Sequence, residues 1–191
     1  MKVLVLGGDG FCGWPTALKL AKEGHEVLIV DNLSRRRIDV ELKSNSLTPI
    51  SSIGDRVAAA KEQGWDINFV WFDVTWSEHL HKLVKTFKPD TIVHFAEQRA
   101  APYSMLGSAE RRYTVDNNVG STHAVLDVIV TVDPTIHLVH LGTMGVYGYS
   151  KDFGDIPEGY LDVKVNSTEK DVDILYPTNP GSIYHMTKSL D

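Results

Sequence analysis

The chain has 191 residues, 42% of them hydrophobic and 23% charged, and a formal net charge of -6. That balance suits a globular protein with a substantial core and excludes a general nucleic-acid or acidic-membrane binder, which needs clustered cations. The single cysteine, Cys12, excludes an internal disulfide framework, and no apolar run approaches the ~20 residues of a membrane span.

Lys2 is followed at once by a short apolar run, Val3 to Leu6, closed by glycines. It reads as a strand buried on both faces of a parallel sheet, with no leader pattern before it, and so as the start of a cytoplasmic protein. A helix is expected from about Phe11 to Lys22, with Ala17, Leu18, Leu20 and Ala21 available for packing and Gly24 as its stop. Glu26 to Val30 is a second strand, ended by Asp31. The polar stretch from Asn32 to Ile53, with its basic run Arg35-Arg36-Arg37, reads as an insertion and a solvated loop before a helix over about Asp55–Gln63. Ile67 to Phe72 and Thr91 to Phe95 are further strands, separated by a helix over about Ser77–Phe87. An irregular segment, Glu97 to Gly107, leads into a long helix over about Ala109–Val130, and Ile136 to Leu141 is a fifth strand. Between Tyr149 and Pro180 the alternation is lost, and Tyr160–Val165 with Val172–Leu175 form a candidate hairpin around a polar Asn166–Lys170 turn. A last helix should begin near Ser182. Alternating strands and helices favour an α/β fold, a doubly wound parallel sheet of Rossmann type with an irregular hairpin region at 149–180.

The loop after the first strand is Gly7-Gly8-Asp9-Gly10-Phe11-Cys12-Gly13. A pyrophosphate binds where backbone amides converge at a helix N-terminus, and side chains would hold it away. Gly7, Gly10 and Gly13 divide the work into a tight turn, close approach of phosphate and close packing of helix on strand. Alone, the loop is a weak signal, because glycine clusters after strands also serve as ordinary turns. Asp31 strengthens the signal, because it ends the second strand at the ~20-residue offset expected of a carboxylate on the adenosine ribose. A carboxylate there repels a 2′-phosphate and favours NAD; Arg35 and Arg36 work slightly against that preference. Asp73 either reaches the adenine or caps its own strand, and Cys12 reads as a small packed residue. Trp14 is expected near the loop.

At the far end stands Tyr184-His185-Met186-Thr187-Lys188. Tyr184 and Lys188 share one helical face. A phenol with pKa near ~10 must gain roughly 4 kcal/mol of preference for its ionised form to act as a base near pH 7. One cation at about 4 Å supplies that order of energy at an effective dielectric of ~20. His79 and His81, and likewise His137 and His140, point apart at their expected spacings, so no metal centre is expected. His94 reads as a satisfied strand histidine below the cofactor.

These segments together resemble the extended short-chain dehydrogenase/reductases that act on nucleotide sugars: the glycine loop, Asp31-Asn32-Leu33, Val93-His94-Phe95-Ala96, Asn117-Asn118-Val119 and Thr143-Met144-Gly145-Val146-Tyr147-Gly148, in that order. The sulfoquinovose synthase branch is the most similar, through Cys12-Gly13-Trp14, Ser46-Leu47-Thr48-Pro49-Ile50 and the loop Glu97-Gln98-Arg99-Ala100-Ala101-Pro102-Tyr103-Ser104-Met105. The resemblance implies NAD held by Gly7, Gly10, Phe11, Cys12, Gly13, Asp31, Asn32, Arg35, Asp73, Val74, Phe95, Ala96, Asn118, Tyr184 and Lys188. It implies UDP-glucose as substrate and sulfite or a sulfite donor as partner. Tyr184, Lys188, Thr143 and His185 are then the catalytic candidates, and Gln98, Arg99 and Thr143 the substrate contacts. Gln98 and Arg99 are equally readable as bracing their own loop.

The pattern departs at Val146, where the sulfoquinovose synthases carry glutamate, and at Met144 and Gly145, where 4,6-dehydratases carry an Asp-Glu pair. That window is closer to a 4-epimerase, and His185 or Glu97 is left for the chemistry at C5 and C6. A nucleotide-sugar 4-epimerase or dehydratase and a non-catalytic NAD-binding protein are the alternatives. Family members continue well past the lysine into a lobe that binds UDP. The expectation is therefore a cofactor domain, residues 1–191, that joins the missing C-terminal part or a second copy to cover its sheet edge.

Overall fold

The computed structural model describes residues 1–148, 160–164, 171–175 and 177–191. Five parallel strands, β1 (Lys2–Leu6), β2 (Glu26–Asp31), β3 (Ile67–Trp71), β4 (Thr91–His94) and β5 (His137–His140), lie in the order β3-β2-β1-β4-β5. Strand residues alternate between two cores, as the two-residue period requires. Leu4, Leu6, Leu28, Val30 and Ile92 face α4 (Ser77–Phe87) and α5 (Ser108–Val132), whose Leu80, Val84, Ala124, Val125 and Val128 complete that layer. Val3, Val5, Val27, Ile29 and Val93 face the other way, onto Ala17 and Ala21 of α1 (Gly13–Lys22) and Val57 and Ala60 of α3 (Ile53–Glu62). The sheet is thus covered on both faces, which is why its central strands read as unbroken apolar runs.

The sequence-derived elements are recovered to within a few residues, with one addition. Ser34–Glu41, expected within a polar insertion, is a helix, α2, that buries none of its residues. It has no apolar stripe to reveal it; Arg35–Asp39 and Arg37–Glu41 ion pairs, one turn apart, support it. The basic run is therefore helical rather than a solvated loop. Ser52 caps α3 by accepting from the Asp55 amide at 3.1 Å. A two-stranded antiparallel ribbon, β6 (Tyr160–Lys164) with β7 (Asp171–Leu175), stands in the region between the sheet and the last helix, α6 (Ile183–Lys188). The expected Asn166–Lys170 turn lies outside the described residues.

The strand order reverses beside β1, between β2 on one side and β4 on the other. Loops leaving β1 and β4 diverge there to opposite faces of the sheet and open a crevice at its carboxyl edge, the place where open α/β sheets bind ligands.

Candidate functional site

The glycine loop forms one lip of that crevice. Gly7 has φ of 81°, a conformation that side-chain-bearing residues rarely adopt, and its amide donates to Val30 O at 2.8 Å. A Cβ on Gly7 would lie 2.6 Å from the Phe95 carbonyl carbon, so the turn also lets the ends of β1 and β4 meet. A Cβ on Gly13 would overlap the Gly7 carbonyl oxygen; bare α carbons let α1 start directly against the loop. Among the described residues, no acceptor takes the amides of Phe11 or Cys12. That leaves donors at a helix N-terminus available to an anion.

A cleft of about 340 Å³ runs from this loop along the carboxyl edge. Gly7, Gly10, Phe11, Cys12, Gly13, Asp31, Asn32, Arg35, Asp73, Val74, Phe95 and Ala96, all expected at a cofactor, line it together with Gln98 and Arg99. Cys12 is exposed there rather than packed. Asp31 accepts from the amides of Asp9 (2.9 Å) and Leu33 (2.7 Å), while burial pushes its carboxyl up from the ordinary range. Asp73 caps its own turn through the Thr75 amide and hydroxyl (2.9 and 2.6 Å) and accepts from Asn32 at 2.7 Å. Sequence reasoning missed the opposite wall: Ser34 and Ile38 of α2, with Tyr103 and Tyr113 in an edge-to-face pair 6.2 Å apart. Ser34 and Ile38 come from α2, Tyr103 from the turn Tyr103–Met105 and Tyr113 from the first turns of α5.

Gln98 is buried and turns its side chain onto its own loop, donating to Ala100 O (3.1 Å) and Thr114 Oγ1 (3.0 Å) and accepting from the Ala100 amide. Arg99 is exposed and sits close enough to Arg35 for the two cations to repel. Asn118, fully buried, accepts from the Gln98 amide (2.8 Å) and donates to Gln98 O (3.0 Å) and Thr187 Oγ1 (3.1 Å). It ties the loop after β4 to α6 rather than lining the cleft.

Helix α6 starts on Ser182, whose hydroxyl accepts from the His185 amide at 3.2 Å. Tyr184 is half-buried; its amide donates to Ser104 Oγ at 3.1 Å and its ring meets His185 edge-on at 5.1 Å. His185 is buried against Gly145 and lies 2.9 Å from Ser182 Oγ. Thr143 caps the 3-10 turn Met144–Tyr147 through the Gly145 amide at 3.2 Å. Thr143, Tyr184, His185 and Lys188 do not form the cleft wall.

Lys188 sends its ammonium into a buried polar group, 2.5 Å from Glu97, 2.7 Å from Asp191 and 3.1 Å from His140 Nε2. Burial opposes its charge, but the two carboxylates outweigh burial and hold Lys188 above its ordinary pKa. Asp191 falls to about 2 because hydrogen bonds from His140 and Lys188 overcome its own burial. Glu97, which also lines the cleft, is pushed up by burial despite its contact with Lys188. Contrary to the spacing argument, histidines and a carboxylate do converge: His94, Glu97 and His140 place ligand-capable atoms within 4.8 Å of one another. His94 and His140 are register partners on adjacent strands, a neighbourhood that spacing along one strand cannot reveal. The cation seated beside them is the Lys188 ammonium. His94 is not satisfied either: it is buried at 1% exposure, and among the described residues neither ring nitrogen has a hydrogen-bond partner. Burial, then His140 and Lys188, lower its pKa to about 3.

The sequence profile of the NAD dependent epimerase/dehydratase family matches residues 3–190. The chain belongs to that family. NAD is the family's cofactor, and the glycine loop, the unengaged amides and Asp31 fit it. UDP-sulfoquinovose synthase of Sulfolobus acidocaldarius is 49% identical over the whole chain, which covers 48% of that protein. The chloroplastic UDP-sulfoquinovose synthase of Spinacia oleracea is 44% identical, again over the whole chain and 39% of the relative. The chain therefore spans about half or less of the length of these relatives. UDP-glucose 4-epimerase from Brucella ovis in complex with NAD shares the fold with a TM-score of 0.66 at 24% identity, over 99% of this chain and 45% of the other. Among the described residues, no helix is long and apolar enough to cross a membrane.

Proposed function

We propose that residues 1–191 are the NAD-binding part of an enzyme that makes UDP-sulfoquinovose from UDP-glucose and a sulfite donor through a 4-keto sugar. The observation that carries this reading is identity of 49% and 44% over the entire chain to two UDP-sulfoquinovose synthases. The cleft that places the glycine loop, Asp31 and Glu97 along one edge supports it. NAD, which the glycine loop and Asp31 would hold, would supply hydride transfer from and back to the sugar. Tyr184 accepts the proton of the 4-hydroxyl, Lys188 keeps positive charge beside the phenolate, and Thr143 hydrogen-bonds the same oxygen. Lys188 suits that task because Glu97 and Asp191 keep it protonated. For the proton at C5 we assign Glu97 over His185, since Glu97 lines the cleft and burial raises its carboxyl, whereas His185 packs on Gly145. With Gln98 turned inward, Arg99 is the side chain left to hold an anion at the sugar end. The setting is cytoplasmic, with the rest of the enzyme or a second copy covering the sheet edge.

The carboxylate-free window Met144-Gly145-Val146 supports a second reading, a 4-epimerase. UDP-glucose 4-epimerase of Neisseria meningitidis is 29% identical over 82% of this chain. Incubating the full-length enzyme with UDP-glucose, NAD and sulfite, with products read by mass spectrometry and chromatography, separates the two. A sulfonated nucleotide sugar is expected; UDP-galactose formed independently of sulfite would establish the epimerase instead. Unchanged turnover by Tyr184→Phe would remove the tyrosine from the chemistry altogether.

A further inference from the structure

The acid inside the glycine loop has no part in the site described so far. Asp9 is 4% exposed, and its carboxylate is held between two guanidiniums. Arg36 of α2 places Nε 2.7 Å and Nη2 3.2 Å from its oxygens, and Arg56 of α3 contacts Oδ1. Arg56 also lies over the Trp14 ring, 4.6 Å from its centroid, which fixes its plane. The Asp9 amide donates to Asp31 Oδ2 at 2.9 Å, so this group directly adjoins the carboxylate assigned to the adenosine ribose. Asp31 forms part of the cleft wall; Asp9, Arg36 and Arg56 do not. Two arginines and two aspartates leave this corner formally neutral.

We propose that Asp9 is a specificity-determining residue that selects NAD against NADP by holding Arg36 and Arg56 away from the ribose corner. Asp31 alone is a weak gate. A guanidinium is the preferred partner of a phosphate, and two of them beside Asp31 would offset its repulsion of a 2′-phosphate. The buried Asp9 carboxylate takes up the Arg36 fork through two hydrogen bonds and Arg56 through one, contacts that are costly to break on a buried acid. The inference rests on reading the cleft as the dinucleotide site.

Titrating NAD+ and NADP+ separately into the full-length enzyme and its Asp9→Asn variant, followed by tryptophan fluorescence and calorimetry, tests it. The ratio of the NADP+ to the NAD+ dissociation constant should fall about tenfold or more in Asp9→Asn, the effect of one freed charge-assisted contact. Adding Arg36→Ala and Arg56→Ala to that variant leaves Asp31 alone and should return the ratio to its starting value or above it. A variant that melts cooperatively with an unchanged ratio overturns the proposal, as does a gain that survives loss of both arginines. Should Asp9→Asn fail to fold, Arg36→Ala in the native background decides. That change leaves the corner acidic and must raise the ratio; no movement overturns the proposal. Native protein that binds neither dinucleotide overturns the cofactor reading and this inference with it, whereas NAD+ binding with an unmoved ratio overturns the inference alone.

Discussion

His94 stands at the carboxyl edge of the sheet with neither ring nitrogen hydrogen-bonded among the described residues and a pKa of about 3, against 6.5 for a free histidine. Between those values it stays neutral in the fold while the unfolded chain takes up a proton as pH falls through 6.5. Stability must therefore decline on acidification across that window, by about 1.4 kcal/mol per pH unit for this one group. Glu97, whose carboxyl is raised, acts in the opposite sense, and Asp191, held near 2, loses its contribution only below its unfolded value of 3.8. His140 and Lys188 complete the ring of groups facing His94. Urea unfolding of His94→Leu should thus give a flatter pH profile than the native chain between 3 and 6.5, with the leucine variant relatively more stable at the acid end. Parallel profiles would show that His94 is charged in the fold. This residue also marks a limit of sequence reading. The glycine loop and Asp31 were legible because local backbone geometry dictates them. The meeting of His94, His140, Glu97 and Lys188 depends on strand register and on α6, and leaves no local trace.

Among the elements, α1 and the loop that feeds it are the most constrained. Replacing the glycine at a helix start by alanine ordinarily helps, by up to about 1 kcal/mol in a helix interior. At Gly13 the added carbon would overlap Gly7 O and sit 2.7 Å from the Gly8 α carbon. Overpacking of that kind costs about 1–3 kcal/mol, and here it falls on backbone with no side chain free to yield. The clash wins. Gly13→Ala is expected to lower the melting temperature and weaken NAD+ binding about tenfold or more, since the moved amides are the phosphate donors. Calorimetric titration beside a thermal melt checks both; unaltered NAD+ affinity would take the loop out of the binding site. Helix α2 shows the converse case. It buries no residue and is carried by ion pairs worth roughly 0.2–0.5 kcal/mol each. Apolar periodicity could not reveal it, and the cleft contribution of Ser34 and Ile38 and the Arg36–Asp9 contact went unseen with it.

At the scale of the molecule, the five-stranded sheet is strong at its centre and, among the described residues, open at β5. β1 is paired on both sides and its Val3 to Leu6 are buried, whereas β5 pairs with β4 alone among the described residues and alternates exposed with half-buried positions. Val139 of β5 and Leu141 just after it are exposed, as are Leu126 and Val130 of α5. An unpaired edge with apolar neighbours is a template for a further strand or another chain. In relatives about twice as long, additional chain is available to cover it. Hydrogen exchange of the 191-residue chain at low concentration reads the difference directly. Amides of β5 should exchange through local opening well ahead of those of β1, whose release requires the sheet itself to come apart. Protection of β5 equal to that of β1, rising with protein concentration, would instead show the edge closed by a second copy. Because β5 carries His140 and leads to Thr143, the same opening would loosen the polar group around Lys188. Covering this edge is then a condition for holding the lysine in place as well as for stability.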